Sequence, residues 1–197
     1  MKTTNKILLG IALIFLFAVF LFPLWQIHLD APQYPEGLGL NIWIHNITAL
    51  HPHNIETIND LNHYIGMKAI EPDSVPELKI MPYAILFIAV FGFIVIVINN
   101  RILLTGWLVT FTGLAIVGMV DFYLWLYDYG HNLNPDAAIK IPGMSFQPPV
   151  FGSRQLLNIH VTSHPGLGGI LVMVSILIGL YVVFSEYRSK KRKGSYT

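Results

Sequence analysis

Four long apolar stretches break up the chain, over 7–27, 83–98, 102–126 and 167–184. A helix needs roughly 20 mostly apolar residues to cross the hydrocarbon of a bilayer, so each stretch predicts a transmembrane helix. The second is the shortest and must draw on flanking residues. Two longer segments of mixed polarity lie between them, 28–82 and 127–166, and a basic tail follows over 185–197. The pattern predicts an all-α membrane protein of about four transmembrane helices with two sizeable extracytoplasmic segments.

Composition points the same way. Of the 197 residues 54% are apolar and 12% charged, and mean hydropathy is +0.58; soluble domains carry about 25% charge. Charge also orients the helices. Lys2, Lys6, Arg101, Arg188, Lys190, Lys191, Arg192 and Lys193 fall on one side, eight of the twelve basic residues, and the positive-inside rule makes that side cytoplasmic. Both termini are then cytoplasmic, while all eight histidines and ten of the eleven acids lie outside. Lys2 and Lys6 also suit a secretory signal. The apolar run is long, however, and Phe22-Pro23-Leu24-Trp25-Gln26 offers no small-x-small cleavage site, which predicts an uncleaved anchor. The Asn99-Asn100-Arg101 link fits only a tight turn, making the second and third helices a hairpin. The basic tail reads as a topology signal, with no nucleic-acid partner.

With no cysteine, disulfides, thiolate metal sites, iron–sulfur clusters and c-type haem attachment are excluded in this chain. A metal would need His, Met or carboxylate ligands. In the first outer segment, 38–45 suits either a short strand or an interfacial stretch beside its tryptophan. Beyond it, Asn54 as N-cap, Glu56 in the first turn and Gly66 at the end predict a short helix over 55–65. Ile55, Ile58, Leu61 and Ile65 share one side; Glu56, Asp60, His63 and Met67 fall within roughly 60° on the other. His63 and Met67, spaced i,i+4, close on one ion if the helix continues through Gly66. His51 and His53 stand before its N-terminus, and Met81 offers a further thioether. Imidazole with thioether favours copper, above all Cu(I). The plain alternative has His63 bonding a neighbouring loop, Met67 filling a packing gap and the acids solvated.

A second group lies where the third helix leaves the membrane. Asp121 sits near the outer end of the hydrocarbon, where an ionisable group needs a compensating partner. Asp128 follows on nearly the same face and His131 shortly after, together a candidate metal or proton site. Against this, Asp121 pairs with Arg154 or with tyrosines, while Tyr123, Trp125, Tyr127 and Tyr129 form an interfacial aromatic belt. In the loop over 127–166, 138–141 suits a short strand, 142–144 a turn with the thioether of Met144, and 145–149 extended chain. So long a loop caps the bundle or docks a protein partner. His28, His45, His160 and His164 read as interfacial or loop residues, Pro165 disfavouring helix at His164. Gly166, Gly168 and Gly169 permit close helix approach, for instance to Gly106, Gly113 and Gly118.

Four stretches, His63-Tyr64-Ile65-Gly66-Met67, Lys79-Ile80-Met81-Pro82-Tyr83, Trp125-Leu126-Tyr127-Asp128-Tyr129-Gly130-His131-Asn132 and Pro142-Gly143-Met144-Ser145, together carry a resemblance. They resemble the small membrane proteins encoded in nitrous oxide reductase gene clusters of the clade II type, over about His51 to Gly166. The resemblance implies a maturation or accessory role for a copper enzyme outside the bacterial cytoplasmic membrane. The first functional expectation is therefore a non-enzymatic copper handler that uses His51, His53, His63, Met67, Asp121, Asp128 and His131. The alternatives are a redox or quinol-interacting subunit, and a structural subunit, of a membrane respiratory complex. No histidine lies mid-membrane to hold a buried haem, and the Asp128 and His131 pair keeps a metal-dependent oxygenase last among the possibilities.

Overall fold

The first apolar run does not stay helical to its end. In the computed structural model, which describes residues 1–141 and 143–193, helix α1 spans Thr3–Ala18 and tightens into a 3-10 turn over Val19–Leu21. Pro23 then forces Phe22 into extended backbone, φ −139° and ψ 146°. From Trp25 onward apolar and polar residues alternate, and a period of two makes a strand. Strand β1 (Trp25–Ala31) is followed by β2 (Tyr34–Ile42) and β3 (Ile47–Ala49). Much later come β4 (Gly152–Leu156) and β5 (Ile159–Pro165).

These strands build one antiparallel sheet in the order β3-β2-β1-β5-β4. The chain is thus mixed α and β, and the all-α expectation is wrong. The error has a physical origin. Carrying the first helix to residue 27 absorbs the start of β1, and β1 finds its partner β5 only across three intervening helices. The alternative left open at 38–45 resolves mostly to strand, since β2 runs to Ile42. Residues 138–141 form no strand. Pro142, in the expected turn, and 194–197 of the basic tail lie outside the described residues.

Among the described residues four helices are long and apolar enough to cross a membrane: Thr3–Leu21, Glu77–Ile98, Arg101–His131 and Leu167–Ser189, with mean hydropathies of 1.9 to 2.8. The last three belong to α3 (Glu77–Ile98), α4 (Arg101–His131) and α5 (Leu167–Lys193); the short α2 (Asn54–Ile65) lies outside the bundle. Trp107 is the wedge of the bundle core. It is fully buried among Leu13, Ile88, Leu104 and Phe111, and its Nε1 donates to the carbonyl of Ile88 at 2.9 Å. Large apolar side chains such as Phe93, Val117, Leu177 and Phe184 face outward, the surface a lipid solvent requires.

At the end of the bundle that holds the N-terminus, the fully buried carboxylate of Glu186 accepts from the Lys2 backbone and from Asn5 Nδ2, both at 2.6 Å. Arg101 Nε lies 3.3 Å away. This lock ties α1, α4 and α5 together, and losing a partner would strand a buried charge. At the opposite end, Gly166, Gly168 and Gly169 abut the backbone of Phe22, Pro23 and Leu24, where added Cβ atoms would stand 2.3 to 2.6 Å from carbonyl oxygens. Their close approach is therefore to the α1–β1 link. Gly113 and Gly118 face open space instead.

The 31 residues of α4 measure about 46 Å at 1.5 Å per residue, well beyond the roughly 30 Å of hydrocarbon. Its last turns accordingly rise beside the sheet and become a wall of the extramembrane module.

Candidate functional site

Helix α2 forms as its amphipathic pattern requires and ends where expected, with a difference at its N-terminus. His53, in left-handed conformation at φ 65°, occupies the N-cap position. Asn54 lies inside the helix and buries its side chain, where Oδ1 accepts from the backbone N–H of Gly39 at 3.1 Å and of His51 at 3.0 Å. At the other end Gly66, at φ 80°, terminates the helix. The stripe of Glu56, Asp60, His63 and Met67 is consequently split. The first three are exposed, while Met67 turns inward among Leu38, Leu40, Ile58 and Tyr129. His53 places Nδ1 2.9 Å from Glu56 Oε2 at the solvent surface, and ten residues of helix, about 15 Å, separate it from His63.

The second group is also dispersed. Asp128 Oδ2 pairs with Lys68 Nζ at 2.6 Å, and its Oδ1 accepts from Asn132 Nδ2 at 3.3 Å. His131 lies flat on Tyr127, rings 3.9 Å apart, with Nδ1 donating to the Tyr127 carbonyl. Asp121 stands half-buried two turns before Asp128, about 10 Å along the axis. Arg154 reaches the Gln147 carbonyl at 3.3 Å. Among the described residues no three His, Asp or Glu side chains gather as a metal shell.

The same elements do converge on a cavity of about 250 Å³ beneath the sheet. Its roof is the apolar face of the strands: Ile27, Leu29, Leu40, Ile159 and Val161. One wall is the apolar side of α2, with Ile58, Leu61 and Ile65; another is the projecting end of α4, with Trp125, Leu126 and Tyr129. Ile139, Phe146 and Pro148 close it from the loop after α4. Few polar atoms reach the interior, and those nearby are engaged: Tyr129 Oη donates to the Ala69 carbonyl at 2.9 Å, Asn62 Nδ2 to that of Lys68 at 3.3 Å. The aromatic belt thus has two sides. Tyr123, Tyr127 and His131 look outward, whereas Phe122, Trp125 and Tyr129 face the sheet, Phe122 against Trp25 at 5.5 Å.

Backbone contacts hold the closing loop in place. Asn134 N–H donates to the Gly66 carbonyl at 2.7 Å, Ile139 N–H to that of Tyr64 at 2.9 Å, and Phe146 N–H to that of Gly130 at 2.9 Å. Gly130 is glycine for contact reasons, because a Cβ there would meet Gln147 Cα at 2.2 Å. Tyr64, Ile139 and Leu157 line the cavity and are exposed, so it opens between the end of α2, the closing loop and the β4–β5 turn. Gln33 and Asn158 hydrogen-bond at 3.1 Å on this rim.

The other face of the sheet collects side chains that the sequence left scattered. The register places Gln26 opposite His164, His28 opposite Thr162 and Asp30 opposite His160, all on one face of β1 and β5. The rings of His28 and His164 stack, centroids 5.3 Å apart and planes 14° from parallel. His160 Nδ1 lies 3.9 Å from Asp30 Oδ2. Burial chiefly, and then the neighbouring His164, hold the His28 imidazole below its ordinary pKa; Asp30 opposes them more weakly. The alternation Gln26, His28, Asp30 was the available signal for this face, together with His160, Thr162, His164.

No protein-family model matches the chain, and no curated protein matches it in sequence. Nothing in these comparisons links it to nitrous oxide reductase clusters.

Proposed function

We propose that the chain is a membrane-anchored, non-enzymatic binding protein whose extramembrane module holds the apolar part of a small lipophilic molecule, an isoprenoid quinone or an acyl lipid. In this reading four helices moor the module at the bilayer surface, and the protein serves as a quinone- or lipid-binding subunit of a membrane complex. The basic residues around Lys2, Arg101 and Arg188 favour, by the positive-inside rule, a cytoplasmic location for that end of the bundle and an outer one for the module. The resemblance to clade II cluster proteins favours the bacterial cytoplasmic membrane.

The observation that carries the reading is the apolar cavity. Its lining is almost wholly apolar and it opens at one rim, so an apolar occupant would remove that lining from water. An apolar cavity of about 150 Å³ already admits a benzene ring. The space beneath the sheet accepts a ring or a chain segment, while the scarcity of free polar atoms argues against a charged or strongly hydrogen-bonding ligand.

The test is extraction of the full-length protein, purified in mild detergent, with mass spectrometry of its lipophilic content. Near-stoichiometric retention of one species is expected, a quinone or an acyl lipid being told apart by mass. Leu61→Trp, which fills the cavity, should lower retention at least fivefold, and the smaller Ile65→Phe should act in the same direction. Equal retention by the wild type and both folded variants would refute the assignment.

A further inference from the structure

We propose that His28 and His164 form a binding site for a single first-row transition-metal ion on the polar face of the sheet, opposite the cavity. The site rests on strand register and is independent of the lipophile reading. His28 and His164 are diagonal neighbours across the β1–β5 ladder, one rung apart. Two imidazoles on one ion at metal–nitrogen distances of about 2.0 Å, with ring centroids roughly 1.2 Å beyond each nitrogen, stand about 5 Å apart, centroid to centroid, at tetrahedral angles. The observed separation is 5.3 Å. Since the rings lie only 14° from parallel, ligation requires the His28 imidazole to turn toward Nε2 of His164.

His164 is already arranged for it. Its Nδ1 lies 3.2 Å from the Pro165 carbonyl oxygen, which can only accept, so Nδ1 carries the proton and Nε2 keeps the lone pair. A backbone carbonyl fixing the tautomer of a ligating histidine is the usual outer-shell arrangement at metal sites. Asp30, two residues along the same face, supplies a negative charge, and His160 stands beside it.

Backbone geometry favours the site too. On the β2 side the residue opposite His28 is Gly39, and a Cβ on Gly37 would come within 3.5 Å of Asp30 Oδ1. No ionisable side chain from β2 therefore competes at these two positions. β1 is the central strand, hydrogen-bonded on both edges, so the ligand backbone is held before any ion arrives. Imidazole ligands suit Cu, Zn and Ni, and among the divalent ions Cu(II) binds tightest. Water or a partner's side chain would complete the coordination.

The experiment is titration of Cu(II) into the full-length protein in detergent against a competing chelator, with pulsed electron paramagnetic resonance of the bound ion. One equivalent bound through two imidazole nitrogens is expected. His28→Gln and His164→Gln should each weaken binding at least tenfold. A triple variant in which His51, His53 and His63 are all glutamine should bind as the wild type does. Unchanged affinity in both single variants, loss in the triple variant, or fewer than two imidazole nitrogens on the wild-type ion would each overturn the site. The last readout needs no variant, so it stands even where a substitution unfolds the chain.

Discussion

The two faces of the sheet are written by the same five strands, one residue out of phase. Ile27, Leu29 and Val161 turn toward α2 and α4 and roof an apolar cavity, while His28, Asp30, His160 and His164 turn away and form a ladder of ionisable groups. One face gains its free energy by removing apolar area from water; the other leaves its side chains free for polar chemistry. Because side chains alternate along a strand, a shift of one register position would exchange the two. The sharpest way to break the comparison is therefore to place the same charge on adjacent residues of β5. Val161 is 2% exposed, and Val161→Asp should cost about 3 kcal/mol or more, as an unpaired buried carboxylate does. Thr162→Asp should change stability by less than about 0.5 kcal/mol. Denaturation of the detergent-solubilised protein, followed by tryptophan fluorescence, measures both; similar losses would mean the faces are wrongly assigned.

A smaller effect is expected where the cavity closes. Gly130→Ala drives a methyl group into the backbone of Gln147, and overpacking of that kind costs about 1–3 kcal/mol. The displaced segment carries Phe146 and Pro148 off the cavity. Retention of the lipophilic molecule should fall in this variant while Cu(II) binding at His28 and His164 persists, since the ladder lies on the far side of the sheet. Parallel loss of both would show that the two faces do not act separately.

What the sequence discloses follows from how local each signal is. The four apolar helices and α2 are written in consecutive residues and can be read from spacing alone. Gly66 was visible as a helix terminus, but its consequence for Met67, which turns inward instead of joining His63, needed the left-handed backbone to be seen. The sheet was missed because Trp25-Gln26-Ile27 adjoins an apolar run and merges with it under a hydropathy window, although its alternation has the period of a strand. The pairing of His28 with His164 joins residues at opposite ends of the chain and has no local signature. Histidines read one at a time as interfacial became neighbours only once β1 and β5 were paired. The cavity likewise depends on distant segments, with Phe146 and Pro148 of the loop after α4 reaching it only through the fold.

The smallest predicted effect is a pH dependence confined to the polar face. Facing His28 are His164 from β5, whose positive form repels its proton, and Asp30 from its own strand, which attracts it; β2 offers Gly39. With burial the largest cause, the folded pKa lies below the ordinary 6.5 of a histidine, so the unfolded chain takes up this proton first. Stability from this group is complete above pH 6.5 and declines as pH falls from there through the lower folded value. The ring is partly exposed, so the decline is shallow. Melting temperatures measured from pH 8 down to pH 5 should fall less steeply in His28→Gln than in the wild type, with the two curves parallel above pH 7. Cu(II) affinity should drop over the same acidic range, because protons and the ion compete for the same nitrogen. A wild-type slope that survives His28→Gln unchanged would move the titration to another group and remove the one electrostatic feature that distinguishes His28 from the other histidines on its face.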